Sequence, residues 1–297
     1  MPYRRPNLRP TARTASTPGR RGRRAGLCAV LLTGFVTTAF AAGAVGPAAA
    51  ADSGTGTTPA TATAQSEARV TTAVLDLDHP AAKPQVRGKD VPYDTASIVK
   101  VDILSALLLQ AQEAGRGLTQ QERTLAEAMI EHSDNDAANA LWREIGQAAG
   151  LKAVNQRLGL TSTVGGTGGL WGLTRTTASD QIGLLRAVFA ADGTTSATKP
   201  ALTTTSRTYI RTLMARIATD QSWGVSAASD SAWALKNGWL QRSTTGLWDI
   251  NSVGRVTSGT HHYLVAVLSD GNTSMASGIK TVETAARTAV TSARAAG

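Results

Sequence analysis

The stretch Asp94-Thr95-Ala96-Ser97-Ile98-Val99-Lys100-Val101-Asp102-Ile103-Leu104 constrains the fold of this chain more than any other. Residues 96–113 predict a helix that is apolar nearly all round, through Ile98, Val99, Val101, Ile103, Leu104, Leu107, Leu108 and Leu109. Such a helix belongs at the centre of a domain, not on its surface. Ser97 and Lys100 stand three residues apart near its first turn, so hydroxyl and amine share a face. Free amides and the helix dipole at that end suit a serine that must carry developing negative charge. A neighbouring amine can take the hydroxyl proton if burial or nearby cations keep part of it neutral. In isolation the pair is a weak signal that reads first as an N-terminal serine and a solvated lysine, and Asp102 and Glu113 read as ordinary helix charges.

The elements flanking this helix set the architecture. A strand over residues 70–78 and a hairpin return over 83–93, with Gly88 near its middle, precede it. Gly115 and Gly117 end it, and Thr119 with Glu122 reads as a capping box that opens a helix to about residue 131. Short helices over about 137–145 and 151–158 lead to a loop, 165–172, in which Gly165, Gly166, Gly168, Gly169 and Gly172 leave no periodicity. Thr177 with Asp180 starts a further helix to about 190, with the Asp180 side chain expected to turn back onto its own helix, and another helix runs over about 204–217. Strands follow at 232–240, 248–258 and 262–269, then a closing helix at 274–295. The order strands, helices, strands, helix implies an α/β (α+β) fold: an antiparallel sheet built from both chain ends with an all-helical lobe inserted.

A net charge of +9 suggests a nucleic-acid partner until it is located. Residues 1–51 hold eight arginines and no acid, which leaves +1 for residues 52–297. The arginine-rich start, the apolar run 25–45 and the small residues Ala48-Ala49-Ala50-Ala51 have the layout of a secretory signal, cleaved rather than kept as a membrane anchor. Residues 52–68, almost wholly Thr, Ala, Gly and Ser, read as a flexible linker, leaving 69–297 as the folded domain. The single cysteine, Cys28, would leave with the signal, and it lacks the preceding pattern of a lipoprotein acceptor. The expected product is a secreted monomer, by the Sec or twin-arginine route, without a nucleic-acid partner and without stable membrane insertion.

Two further motifs carry chemistry. Ser133-Asp134-Asn135 falls at a junction between helices, where it is either a plain helix cap or a polar group facing a cleft. Lys236-Asn237-Gly238 falls on the first C-terminal strand, where the lysine is either an exposed edge residue or a cation beside a glycine that admits a close backbone or substrate. His79, His132, His261 and His262 show no metal-ligand spacing, and no cofactor motif is present.

Ser-x-x-Lys, Ser-Asp-Asn and Lys-x-Gly in this order resemble the serine β-lactamase and penicillin-binding-protein superfamily, most closely class A β-lactamases, over residues 70–295. The resemblance implies that Ser97 is the acylated nucleophile, Lys100 its activator, Ser133 the relay to the leaving nitrogen and Lys236 a cation near Ser133 and the substrate carboxylate. It implies that Asn135 holds the substrate side chain, that Asn237 and Gly238 belong to the binding strand, and that the N–H groups of Ser97 and Trp239 form an oxyanion hole. Trp171 and Trp239 are candidates to line the cleft, and Arg242 for an extra carboxylate contact. The substrate implied is a β-lactam or a peptidoglycan stem peptide, with a non-turnover β-lactam or peptidoglycan sensor as the alternative. Class A enzymes carry a deacylating glutamate in the loop before the Thr-Thr cap, yet residues 165–175 hold no Asp or Glu.

Overall fold

The computed structural model describes residues 68–79, 83–190 and 200–296. The expected signal segment lies outside these residues, as does the linker apart from Ala68. In chain order the strands are β1 (Arg69–Asp76), β2 (Gln85–Arg87), β3 (Tyr93–Asp94), β4 (Arg175–Thr176), β5 (Trp233–Gln241), β6 (Trp248–Ser258) and β7 (His261–Asn272). The helices are α1 (Val99–Glu113), α2 (Gln120–Glu131), α3 (Asn135–Glu144), α4 (Gln147–Leu158), α5 (Ala178–Phe189), α6 (Thr204–Met214) and α7 (Met275–Ala296).

Strand alternation builds the layers. Along β7, Leu264, Ala266 and Leu268 point into one core with α1 and the other lobe helices, while Tyr263, Val265 and Val267 point into a second core under α7. β1 divides in the same way, with Ala73 and Leu75 on the lobe side and Val74 on the α7 side. The sheet runs β2-β1-β7-β6-β5, antiparallel throughout, and β1 pairs with β7 from Arg69↔Asp270 to Asp76↔Tyr263. The first and the last strand of the described domain therefore meet at mid-sheet, and α1 to α6 form the inserted lobe. α7 packs close because Gly278 has no side chain; a Cβ there would stand 2.3 Å from Ile250 Cγ1.

The expected return over 83–93 is divided. Only β2 pairs with β1, and Tyr93–Asp94 pairs instead with β4. Gly88, at φ 88°, turns the chain away, and Pro92 has no N–H to continue a ladder. The central helix is buried as its composition demands, from Val99 through Leu109, but that burial takes its charges with it. Asp102 is 1% exposed, with no well-formed hydrogen bond to its carboxylate. Burial raises its carboxyl to about 7, offset only in part by its own amide and Gln181, so it is not an ordinary helix charge. The Thr119 capping box forms with both of its hydrogen bonds. At α5 only half of the expected arrangement holds: Thr177 accepts from the Asp180 N–H, while the Asp180 carboxylate accepts from Ser162 N–H (2.8 Å) and Thr163 Oγ1 (2.7 Å).

Candidate active site

Ser97 sits in a single tight helical turn, Ala96–Ile98, that precedes α1, so α1 begins three residues later than expected. Three neighbours grip this turn. Thr95 N–H donates to Thr174 O (2.8 Å), and Asn251 Nδ2 on β6 donates to the carbonyls of Asp94 (2.9 Å) and Thr95 (3.1 Å). Gly238 on β5 is pressed against it, and a Cβ there would lie 2.6 Å from Thr95 O and 2.8 Å from Ser97 N. Gly238 thus admits the backbone that carries the serine. Ala96 takes φ 46°, a left-handed conformation that costs a non-glycine residue roughly 1–3 kcal/mol and recurs at functional turns.

Ser133 has φ 55°, the same kind of strained backbone, at the junction of α2 and α3. Within Ser133-Asp134-Asn135 both readings of the motif coexist. Asp134 is the helix cap, accepting from Ala137 N–H at 2.7 Å, while its two neighbours face the lysines. Lys100 Nζ lies 2.7 Å from Ser133 O, 3.1 Å from Ser133 Oγ and 2.9 Å from Asn135 Oδ1. Lys236 Nζ reaches the same Ser133 Oγ from β5 at 3.0 Å and donates to Asn237 O at 3.0 Å. Two amines therefore flank one hydroxyl.

Burial brings the Lys100 amine down to about 7, with the Asp134 charge opposing the shift. Lys236 falls well below its ordinary value through burial and repulsion from Lys100. Lys236 lies on an edge strand yet is wholly buried, because the Ser133 junction and the Ser97 turn cover the face to which its side chain points. One of the pair can hold a free lone pair near neutrality, which a lysine in water cannot do.

The Ser133 hydroxyl that both amines reach borders a cavity of about 180 Å³ lined by Ser97, Ser133, Asn135, Trp171 and Trp239, among others. Ser97 is 9% exposed, at the cavity wall. The glycine-rich loop is held in place by two indoles: Trp142 Nε1 donates to Gly168 O (2.6 Å) and Trp171 Nε1 to Asn139 Oδ1 (2.8 Å). The Trp171 ring then lies over Lys100, with Nζ 4.8 Å from the ring centroid.

The structure thus brings Ser97, Lys100, Ser133, Asn135, Lys236 and Trp239 together. It does not bring the Asn237 side chain to the cavity: Nδ2 donates to the carbonyls of Gln221 and Trp223, both at 2.8 Å, and fastens β5 to that segment. Arg242 is also committed, to Asp94 at 2.5 Å. Asn139 and Asn251 carried no signal in the sequence, since each acts on a loop or turn distant along the chain. Among the described residues one group suits a metal ion, Asp76, His79 and His261, and it lies away from this cavity.

A model of the β-lactamase enzyme family matches residues 115–293, a stretch that holds Ser133 and Lys236 and starts after Ser97 and Lys100. Among solved structures, the TLA-1 extended-spectrum β-lactamase is 16% identical with a TM-score of 0.63, over 76% of this chain and 91% of that one. A mutant of PBP-A in acyl-enzyme complex with penicillin G is 20% identical with a TM-score of 0.63, over 77% and 92%. A β-lactamase from Chitinophaga pinensis is 17% identical with a TM-score of 0.64, over 75% and 93%. These likenesses establish the β-lactamase-like fold. LppW of Mycobacterium tuberculosis and of Mycobacterium bovis, a candidate lipoprotein, is 31% identical over 112 residues, 38% of this chain and 36% of the relative. The match spans only about a third of the length of these curated relatives.

Proposed function

The chain belongs to the β-lactamase enzyme family, and on that premise we propose that it is an exported serine hydrolase that forms an acyl-enzyme on Ser97 with β-lactams or related D-alanyl peptides of the cell wall. The observation that carries this reading is the pair of buried amines, 3.1 and 3.0 Å from one hydroxyl, at the wall of the cavity that holds Ser97. Neutral Lys100 takes the Ser97 proton as Oγ attacks the carbonyl carbon. The oxyanion is held by the N–H groups of Ser97 and Trp239, each such donor contributing about 3–4 kcal/mol. Ser133 then delivers a proton, replenished from the lysines, to the leaving nitrogen, the C–N bond breaks and an ester remains on Ser97. Asn135 and Trp239 orient the acyl group, and Lys236, taking a proton from solvent as the anionic substrate enters, meets its carboxylate. Export is supported by the arginine-rich, then apolar, first 51 residues.

Deacylation is the slow step in this reading. Attack of water on the ester needs a base on the other face, a contribution of typically 10²–10⁴-fold. The loop that faces Lys100 offers an indole there, Trp171, and no acid between residues 165 and 175. The same observation favours a second reading, a β-lactam or peptidoglycan sensor that acylates without turnover. Stopped-flow mixing with a chromogenic cephalosporin should show a burst of about one equivalent followed by a slow steady state, with mass spectrometry locating the adduct on Ser97. An adduct that never decays selects the sensor; rapid turnover without a burst overturns slow deacylation, and no adduct and no turnover overturns the hydrolase.

A further inference from the structure

Three of the chain's four histidines gather at the end of the sheet where β1 finishes and β7 begins. Asp76 is the last residue of β1, His79 follows three residues on, and His261 opens β7, which pairs with β1 at Asp76↔Tyr263. Both imidazoles converge on one carboxylate oxygen: His79 Nδ1 lies 2.8 Å and His261 Nδ1 3.0 Å from Asp76 Oδ2. One ligand atom from each of the three residues fits within a mutual 4.8 Å. The rings of His79 and His261 stand side by side, 5.5 Å apart at 20°. Asp78 and His262 form a neighbouring pair, with Nδ1 3.1 Å from Oδ2, and Asp78 also accepts from the His262 N–H at 2.7 Å.

We propose that Asp76, His79 and His261 form a site for a borderline divalent transition-metal ion, Zn²⁺ foremost, which ties the chain after β1 to the start of β7. Zn–N and Zn–O bonds of about 2.0–2.1 Å at angles of about 90–110° place ligand atoms about 2.9–3.4 Å from one another. Of the two separations at Asp76, 3.0 Å falls within that interval and 2.8 Å just below it, so an ion taking the place of the shared protons would need only that the ligand atoms shift to that spacing and the two imidazoles turn toward it. Two imidazole nitrogens and one carboxylate select Zn²⁺, Ni²⁺ or Cu²⁺ over Mg²⁺ and Ca²⁺, which demand oxygen donors. The side chains of His79 and His261 are 50% and 35% exposed, which gives the ion an entry path and leaves further positions to water. The site is independent of the serine chemistry. It lies five residues along β1 from Thr71, which is level with Leu268, Asn251 and Gly238. At about 3.3 Å per residue and 4.8 Å per strand it is about 20 Å from the cavity.

The test is calorimetric titration of the purified chain, free of any polyhistidine tag, with ZnCl₂, and with MgCl₂ as control. One Zn²⁺ per chain should bind at micromolar affinity or tighter, raise the unfolding temperature and leave Ser97 labelling unchanged, while Mg²⁺ gives no heat. His79→Ala and His261→Ala should each weaken binding by at least about 10-fold, whereas His132→Ala should bind as the parent does. If His261→Ala fails to fold, His79→Ala decides the matter alone, since half of its side chain already faces solvent. Zn²⁺ binding that is undiminished in His79→Ala, or absent from the parent at millimolar concentration, overturns the proposal.

Discussion

The start of α2 and the cleft both bury charge, and they treat it in opposite ways. At the start of α2, Glu122 is 2% exposed and fully partnered. Arg116 meets its two oxygens with two bonds of 2.8 Å, and Thr119 N–H adds a third at 2.5 Å. The bonds from Arg116 lead in drawing its carboxyl down to about 2, so the charged form is favoured and the fold gains from it. In the cleft, Lys100 and Lys236 face each other across a hydroxyl with no carboxylate in hydrogen-bond contact, and both are driven toward the neutral form. Paired buried charge fastens a helix, whereas unpaired buried charge destabilises the fold and is what makes an amine a base at neutral pH.

The sharpest break in this comparison would come at Ser97. Ser97→Ala should abolish labelling by a fluorescent penicillin with the fold retained, and undiminished labelling would remove the cleft's chemical role altogether. Next in size, Lys100→Ala should lower labelling at pH 7 by about 10²–10⁴-fold and regain part of it at high pH, where hydroxide substitutes. Labelling of the parent should rise with pH through about 7 as Lys100 loses its proton. A flat profile from pH 5 to 9 would show that this amine is not the base.

Asp102 extends the unpaired class into the core, and its sign can be worked out. Its carboxyl is raised from 3.8 to about 7 in the fold, so between those values the native state holds more protons than the unfolded chain. Stability therefore falls as pH rises from about 4 to 7 and is level above. Asp102→Asn should stabilise the protein by about 2–4 kcal/mol at pH 8, at ~1.4 kcal/mol per pKa unit, and by little at pH 4. Denaturant titrations at the two pH values measure this, and equal gains at both would show that the acid is not the cause. At the cap the smaller effect has the opposite sign: Thr119→Ala should destabilise by about 1 kcal/mol with labelling unchanged. Because Glu122 is held at about 2, its contribution should persist at neutral pH and be lost as pH falls from about 4.5 toward 2.

What the chain declares locally was legible. The central helix after its first turn, the Thr119 capping box and the long period-two strands depend on residues a few positions apart, and they appear close to where the sequence places them, whereas the return over 83–93 does not. Ser97 and Lys100 could be placed on one face for the same reason, because helical geometry alone puts i and i+3 there. Tertiary structure decided the rest, because burial and pairing come from partners far along the chain. Lys236 is a buried amine rather than an exposed edge residue because Ser133, 103 residues earlier, lies against it. Asn237 turns to Gln221 and Trp223, Asp180 to Ser162 and Thr163, and Trp171 to Lys100 for the same reason. His261 joins His79 at Asp76 only because β1 and β7, from opposite ends of the domain, are neighbours in the sheet. Periodicity records which face of an element is apolar; the free energy of a charge depends on everything within a few ångströms of it, and that set exists only once the chain has folded.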